Sequence, residues 1–169
     1  MRHQSRVSIV PWQVSHRYVS IVAMIPRTQF RWKTLTVSFI GDAPASELTP
    51  TAALDRATAA LARWKAKVSR DEGRGVLRFG PTFQSGRSWL SAVMSREVHA
   101  VTQGTTTVVA VSASIAPIVI MGVVFALLSA LFLNPYLGIL VGLGGVTGGN
   151  YAFVDFGMRR ILAETLFTT

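Results

Sequence analysis

The chain has 169 residues, no cysteine and a formal net charge of +9, and 50% of its residues are hydrophobic. The lack of cysteine excludes disulfides, thiol catalysis and Cys-ligated zinc or iron–sulfur sites. Once two apolar runs near the C-terminus are set aside, the length leaves room for one small domain with a modest core.

The N-terminal region is predicted to be a basic arm at a membrane interface, because its Trp, Tyr and Arg residues suit the headgroup layer. Pro11, Trp12 and Arg17 interrupt its apolar stretch, so a cleaved signal peptide is not predicted. The pattern of a folded domain is clearer after Met24. A second interpretation of residues 1–23 is therefore a misassigned translation start. The predicted lipid or partner contacts are Arg2, Arg6, Trp12, Arg17, Arg27, Arg31 and Lys33.

The next part of the chain, residues 31–114, has the pattern of an α+β domain. Apolar and hydroxyl residues alternate over residues 34–40, which predicts a half-buried strand. Thr49 before Pro50 predicts a capped helix start, and apolar residues at helical spacing extend this helix to Val68. This is the domain's one main helix.

Further strands complete the predicted sheet. Residues 75–80 predict a second strand, and residues 97–103 and 105–112 predict a hairpin rich in Val and Thr. Residues 88–96 carry an apolar stripe at helical spacing, which either closes the core or lies in the membrane surface. We therefore expect a small antiparallel sheet packed by one main helix, on the cytoplasmic side of a membrane.

The last third of the chain is strongly apolar, with no Asp, Glu, Lys or Arg between Glu97 and Asp155. Two apolar runs there, separated by Asn134 and Pro135, are each about long enough to cross ~30 Å of hydrocarbon. The sequence therefore predicts a two-helix transmembrane hairpin. The predicted segments are an arm over residues 1–30, an α+β domain over 31–114, a hairpin over 115–157 with spans at 115–133 and 136–156, and a short tail over 158–169.

The distribution of basic residues predicts the topology. Six of them fall in the first 33 positions, which contain no acid, and Arg159 and Arg160 follow the second apolar run. An excess of Lys and Arg marks the cytoplasmic side, so both termini are predicted to be cytoplasmic. The first interpretation of the charge is this topology alone, and the second is attraction to anionic lipid headgroups. Nucleic acid is not favoured, because aromatics interleaved with clustered Arg are missing.

The second apolar run is rich in glycine at four-residue spacing, which permits close helix packing in lipid. Two interpretations remain open: the glycines serve the hairpin alone, or they also engage a neighbouring subunit or a second copy of the chain. The predicted helix-packing residues are Gly138, Gly142, Gly144, Gly145, Gly148, Gly149 and Ala152.

Reactive groups are sparse. The glycine-rich stretch fails the dinucleotide-binding pattern at Thr147, and the three histidines are isolated from one another. Asp155 and Arg159 are four residues apart at the end of the second run, which predicts an interfacial ion pair. Neither a metal site, nor a cofactor, nor an enzymatic activity is predicted.

The leading functional hypothesis is a noncatalytic accessory or stabilising subunit of a larger integral-membrane complex. An energy-converting complex, photosynthetic or respiratory, in a bacterial inner or intracytoplasmic membrane is the expected setting. The alternative is a membrane-anchored regulator or sensor whose cytoplasmic domain binds a ligand or a protein. A weaker alternative is an oligomeric small transporter or channel, which needs a polar stripe along the spans.

Overall fold

The computed structural model describes residues 26–81, 93–132 and 134–167. Within these ranges, six strands form one antiparallel sheet in the order β1-β2-β6-β5-β4-β3, which confirms the predicted α+β class. A long central hairpin, β5–β6, is thus flanked on each side by a shorter one. The strands are Arg27–Arg31 (β1), Thr36–Pro44 (β2), Lys67–Asp71 (β3), Val76–Gly80 (β4), Met94–Gln103 (β5) and Thr106–Ser114 (β6).

The two short hairpins turn in the same way. Each passes through a three-residue 3-10 segment, Trp32–Thr34 in one and Glu72–Arg74 in the other. A residue in the left-handed conformation follows, Leu35 with φ 46° and Gly75 with φ 62°. Glycine adopts this conformation without strain, whereas leucine at such a position costs on the order of 1–3 kcal/mol. Other contacts must therefore hold Leu35 in place.

The inner strands alternate between the two faces of the sheet. Val37 and Phe39 of β2 are buried, and so are Val109 and Val111 of β6, while the residues between them are only half-buried. The predicted strand over residues 34–40 therefore exists, but it begins at Thr36, because the 3-10 turn occupies the residues before it.

One helix, Pro50–Arg63 (α1), covers part of the buried face. Thr49 Oγ1 accepts a hydrogen bond from the Ala52 amide at 3.2 Å, as the capping pattern predicts. The helix ends earlier than Val68, because Lys65 takes a positive φ of 52° and Val68 joins β3.

Two apolar helices leave the sheet domain as an antiparallel pair. Ala116–Phe132 (α2) follows β6 with only Ile115 between them. The chain returns as Pro135–Phe167 (α3), a continuous helix of 33 residues whose middle, Leu140–Gly148, is wound as a π-helix. Of the described helices, only α3 is long and apolar enough to cross a membrane, whereas α2 is a shorter apolar helix of 17 residues. The prediction of two spans therefore has one clear candidate.

The C-terminal part of α3 is not the short tail that was predicted. It continues as a helix to Phe167 and buries Met158, Ile161 and Leu162 against the sheet. These apolar residues recur at i, i+3 and i+4, so they share one face, while Arg159 and Arg160 lie on the exposed side. Two helices, and not one main helix, therefore cover the sheet.

The ambiguous segment over residues 88–96 is only partly described. Residues 88–92 lie outside the described ranges, Val93 is buried, and Met94 to Arg96 belong to β5 and not to a helix.

The buried face of α3 predicts a large effect of a single truncation. Met158→Ala removes a fully buried side chain from the core and is expected to lower the free energy of unfolding by about 2–5 kcal/mol. Met121→Ala, at a half-exposed position on α2, is the matched control and should change it by less than about 1 kcal/mol. Thermal unfolding in detergent measures both. Equal effects would mean that the C-terminal part of α3 does not pack on the sheet.

Candidate functional site

The contact between α2 and α3 is built from small residues. A Cβ atom added at Gly138 would lie 2.5 Å from the Ala126 carbonyl oxygen, and one added at Gly142 would lie 2.5 Å from the Gly122 carbonyl oxygen. Gly122, Gly138 and Gly142 are all buried. The two backbones are therefore in contact. Helices pack in this way in lipid, where the hydrophobic effect does not drive their association.

The other predicted glycines lie on a different surface. An added Cβ at Gly145 or Gly149 meets nothing within 4 Å, and at Gly144 its nearest neighbour is Leu140 Cδ1 at 3.9 Å. We call this exposed surface the outer glycine face; its members are Gly144, Gly145, Gly148, Gly149 and Ala152. The predicted packing set is thus divided: Gly138 and Gly142 serve the hairpin, and the others face outward.

The polar side chains within the glycine-rich part of α3 bond to the helix itself. Thr147 Oγ1 donates to the Gly142 carbonyl at 3.2 Å, and Asn150 Nδ2 donates to the Val146 carbonyl at 2.6 Å. Both bonds lower the cost of placing a polar group in an apolar medium. Because both donors are used within the helix, these side chains contribute little to a polar path for an ion or solute.

The outer surface of the hairpin is apolar on every side. A helix that is hydrophobic all round is typical of a protein core or a membrane, and the described residues form no core around this pair. The exposed large apolar side chains are Ile120, Met121, Val123, Val124, Phe125, Leu127, Leu128, Leu131, Phe132, Tyr136, Leu137, Ile139, Leu140, Val141, Leu143, Phe153 and Phe156.

Charged residues begin where α3 enters the sheet domain. Arg159 Nε donates to Asp155 Oδ2 at 2.7 Å, and Arg160 Nε donates to Glu164 Oε1 at 3.0 Å. The Arg159 guanidinium also lies 5.0 Å from the centre of the Phe39 ring. The predicted partners Asp155 and Arg159 are therefore in contact, at the base of the apolar hairpin.

A polar groove lies on the sheet face that the helices leave open. It has a volume of about 430 Å³. Hydroxyl groups pave its centre, where Ser38 and Ser112 share a hydrogen bond of 2.8 Å between directly paired strand positions. The lining residues are Gln29, Arg31, Thr34, Thr36, Ser38, Ile40, Ser95, Glu97, His99, Ala110 and Ser112.

One wall of this groove carries a charged cluster. Glu97 Oε1 accepts from Arg78 Nε at 3.0 Å, and Glu97 Oε2 lies 3.0 Å from His99 Nε2. Partial burial opposes ionisation of Glu97, but the hydrogen bonds from His99 and Arg78 outweigh it and lower the pKa of the carboxyl group. A bulge next to this cluster holds Ser95 at φ 47°. Bulges of this kind often re-aim side chains beside functional sites.

The sequence did not single out this cluster. Glu97 and His99 are two residues apart on a strand, so the period of two already places both side chains on one face. Arg78 could not be added, because the pairing of β4 with β5 is not readable from a single chain.

The predicted lipid contacts fall into two groups. Arg27 and Arg31 lie on the edge strand β1, and Lys33 lies in the turn that follows it. All three are exposed. The predicted contacts at Arg2, Arg6, Trp12 and Arg17 lie outside the described residues.

Neither a protein-family model, nor a curated protein, nor a solved structure matches this chain. Within the described ranges, no group of three or more His, Cys, Asp or Glu residues is placed to hold a metal ion.

The division of the glycines predicts opposite effects of the same substitution. Gly142→Ala places a methyl group against the backbone of α2 at Ala126 and should destabilise the hairpin. Gly145→Ala points into open space and should stabilise it by about 0.5–1 kcal/mol, because glycine is a poor helix former. Thermal unfolding in detergent, followed by circular dichroism, compares the two. Stabilisation by both substitutions would refute the close contact at Gly142.

The lowered pKa of Glu97 predicts a dependence of stability on pH. The pKa of Glu97 in the folded protein lies below its ordinary value of 4.5. The hydrogen bonds of the ionised Glu97 therefore stabilise the fold above pH 4.5, and this stabilisation is lost as the pH falls through the folded pKa. At neutral pH the free energy of unfolding of the wild type should therefore exceed that of Glu97→Gln by about 0.2–1 kcal/mol, and this difference should shrink below about pH 4.5. Denaturant unfolding at a series of pH values tests this. A difference that is constant with pH would rule out the ionised carboxylate as its source.

Proposed function

We propose that this protein is a noncatalytic subunit of a larger integral-membrane complex, anchored by its hairpin with the sheet domain and both termini on the cytoplasmic side. The observation that carries the proposal is the outer glycine face, a surface of small residues that the described part of the chain leaves uncovered. The expected setting is an energy-converting complex in a bacterial inner or intracytoplasmic membrane. Identification of the proteins that co-purify with the chain tests this setting.

The dimensions of the hairpin support insertion into a bilayer. The 17 residues of α2 correspond to ~25 Å of helix, and the outer part of α3 runs beside them. This length approaches the ~30 Å of a typical hydrocarbon core, and a bilayer accommodates a small mismatch by thinning. The apolar side chains around the pair give lipid an extensive contact, which the exposed Asn150 interrupts on α3.

The outer glycine face supports a partner beyond lipid. Each glycine in a helix interior costs roughly 1 kcal/mol relative to alanine, and Gly145 and Gly149 receive no contact in return from the described residues. A second helix that packs against them recovers that cost through close backbone approach. A neighbouring subunit or a second copy of the chain fits this requirement equally well.

The topology follows from the charges. Arg159 and Arg160 lie at the base of the hairpin, whereas the turn at Asn134 and Pro135 is uncharged. The positive-inside rule therefore favours a cytoplasmic sheet domain. Protease added to sealed inside-out vesicles should remove an epitope tag fused to either terminus, and protection of either tag would contradict this topology.

The groove on the open sheet face favours a second candidate, a membrane-anchored sensor. Its volume of about 430 Å³ suits a small molecule. Arg31 at one wall and the Glu97 cluster at the other provide polar groups that can orient a ligand. A transporter or channel is less favoured, because Thr147 and Asn150 direct their hydrogen bonds back to their own helix.

The mass of the native particle in mild detergent separates these candidates. We expect the protein to migrate with a large complex of fixed stoichiometry, whose other subunits mass spectrometry identifies. A lone monomer would contradict the subunit proposal, and a small molecule released from that monomer under native mass spectrometry would favour the sensor.

The outer glycine face gives this proposal a direct mutational test. Gly144→Leu and Gly148→Leu should each release the chain from the complex, because a leucine side chain keeps the partner helix several ångströms away. Val124→Leu adds bulk at an exposed position on α2 and is the control that should stay associated. Co-purification of the partner, together with resistance to alkaline extraction from membranes, reads out release and insertion separately. Retention of both glycine variants would refute the outer glycine face as the contact with the complex.

A further inference from the structure

The turn between β1 and β2 lies at the root of the hairpin. The Ile115 amide, one residue before α2, donates to the Leu35 carbonyl at 2.8 Å. Ser114 Oγ donates to the Thr34 carbonyl at 3.3 Å, and Ser114 pairs with Thr36 across the sheet. These bonds fix the turn at the level where the apolar helix begins.

The side chains of this turn have the composition of a membrane interface. Trp32 is 80% exposed, and its ring meets Phe30 edge-to-face with 4.6 Å between ring centroids. Lys33 follows Trp32 directly, and both Arg31 and Lys33 are exposed. Tryptophan with neighbouring basic residues is favoured in the headgroup layer, where the ring is partly desolvated and the cations meet lipid phosphates.

The positions of Asp42 and Arg159 along the sheet domain agree with a membrane surface at the hairpin root. The exposed Asp42 pairs with Val108, six residues along β2 from Thr36, which places it ~20 Å farther from the hairpin root. On the other side, Gly122 contacts Thr147, so Arg159 lies about 9 Å beyond the level of Ala116. Arg31 and Lys33 thus lie near the root, and Asp42 is held away from it. Glu97, which pairs with Ser112 nearer the root, is bonded to Arg78.

The turn is also held rigidly. Leu35 adopts its left-handed conformation at a cost that glycine avoids at the equivalent Gly75. Its side chain packs against the core and its carbonyl accepts the bond from Ile115. Because both contacts hold the strained residue, the turn cannot swing away from the hairpin without losing them.

We propose that the β1–β2 turn is a second membrane contact, in which Trp32 and Lys33 insert into the headgroup layer of an anionic phospholipid bilayer. This inference rests on the proposed insertion of the hairpin. It adds that the sheet domain is held against the membrane in one orientation, with the turn on the bilayer surface and the β5–β6 turn pointing away.

Site-directed fluorescence tests the contact cleanly, because the chain has no cysteine. A Thr34→Cys variant carries one environment-sensitive fluorophore in the turn and keeps Trp32 and Lys33. Leu127→Cys on α2 and Gln103→Cys at the far end of β5 are the deep and distant controls; both positions are exposed. Each labelled protein is reconstituted into phosphatidylcholine–phosphatidylglycerol vesicles that contain a nitroxide on the headgroup or near the acyl-chain end.

The label at residue 34 is expected to be quenched by the headgroup nitroxide more than by the acyl-chain nitroxide. The label at 127 should show the reverse order, and the label at 103 should be quenched by neither. If the label at 127 is quenched but the label at 34 behaves like that at 103, the turn contact is refuted while the inserted hairpin stands. If the label at 127 escapes both nitroxides, the membrane proposal itself fails.

A paired variant assigns the contact to the named side chains. Adding Trp32→Ser and Lys33→Glu to Thr34→Cys should reduce headgroup quenching to the level of the distant label, with quenching at residue 127 unchanged in the corresponding variant. Undiminished quenching in the turn would mean that Trp32 and Lys33 do not hold it at the surface.

Discussion

The helix Pro135–Phe167 packs on α2 with one part and on the sheet with the other. The rest of the structure depends on the continuity of this helix. Its 33 residues extend ~50 Å. The outer part packs on α2 through glycine, and the inner part buries Met158 and Ile161 against the sheet. Because a helix transmits its direction along its length, the sheet domain has a fixed orientation relative to the hairpin. Ile115, the single residue between β6 and α2, adds a second short connection.

The same helix uses two different means of stabilisation. In the sheet domain, removal of Met158, Ile161 and Leu162 from water provides the driving force. In an apolar surrounding that force is absent, and close contact of backbones at Gly138 and Gly142 replaces it. Glycine weakens a helix, so it is retained only where such contact repays the loss. That reasoning accounts for the inner glycines within this chain, and the proposed partner subunit would supply the matching contact for the outer ones.

Hydrophobic periodicity was enough to predict the central strands, and Thr49 before Pro50 predicted the capped start of α1. Of the two predicted spans, only α3 among the described helices is long and apolar enough to cross a membrane. Periodicity failed for the edge strands β1 and β3, which are short and rich in charged residues, so that alternation leaves no clear signal. Arg159 and Arg160 suggested the end of the second helix, yet Ile161 and Leu162 continue its buried face. The two glycine surfaces share one spacing and differ only in what lies opposite them, so three-dimensional contacts were needed to separate them.

The two candidate functions are linked through the orientation of the sheet. Thr34, Thr36 and Ser95 line the polar groove and lie at the end of the sheet from which α2 departs. Under the proposed topology, with the β1–β2 turn in the headgroup layer, this end of the groove meets the membrane surface and the rest of it faces the cytoplasm. In the proposed complex, the groove is held at a defined height above the bilayer. One neighbouring subunit can then contact both the groove and the outer glycine face, which a flexible tether would not ensure.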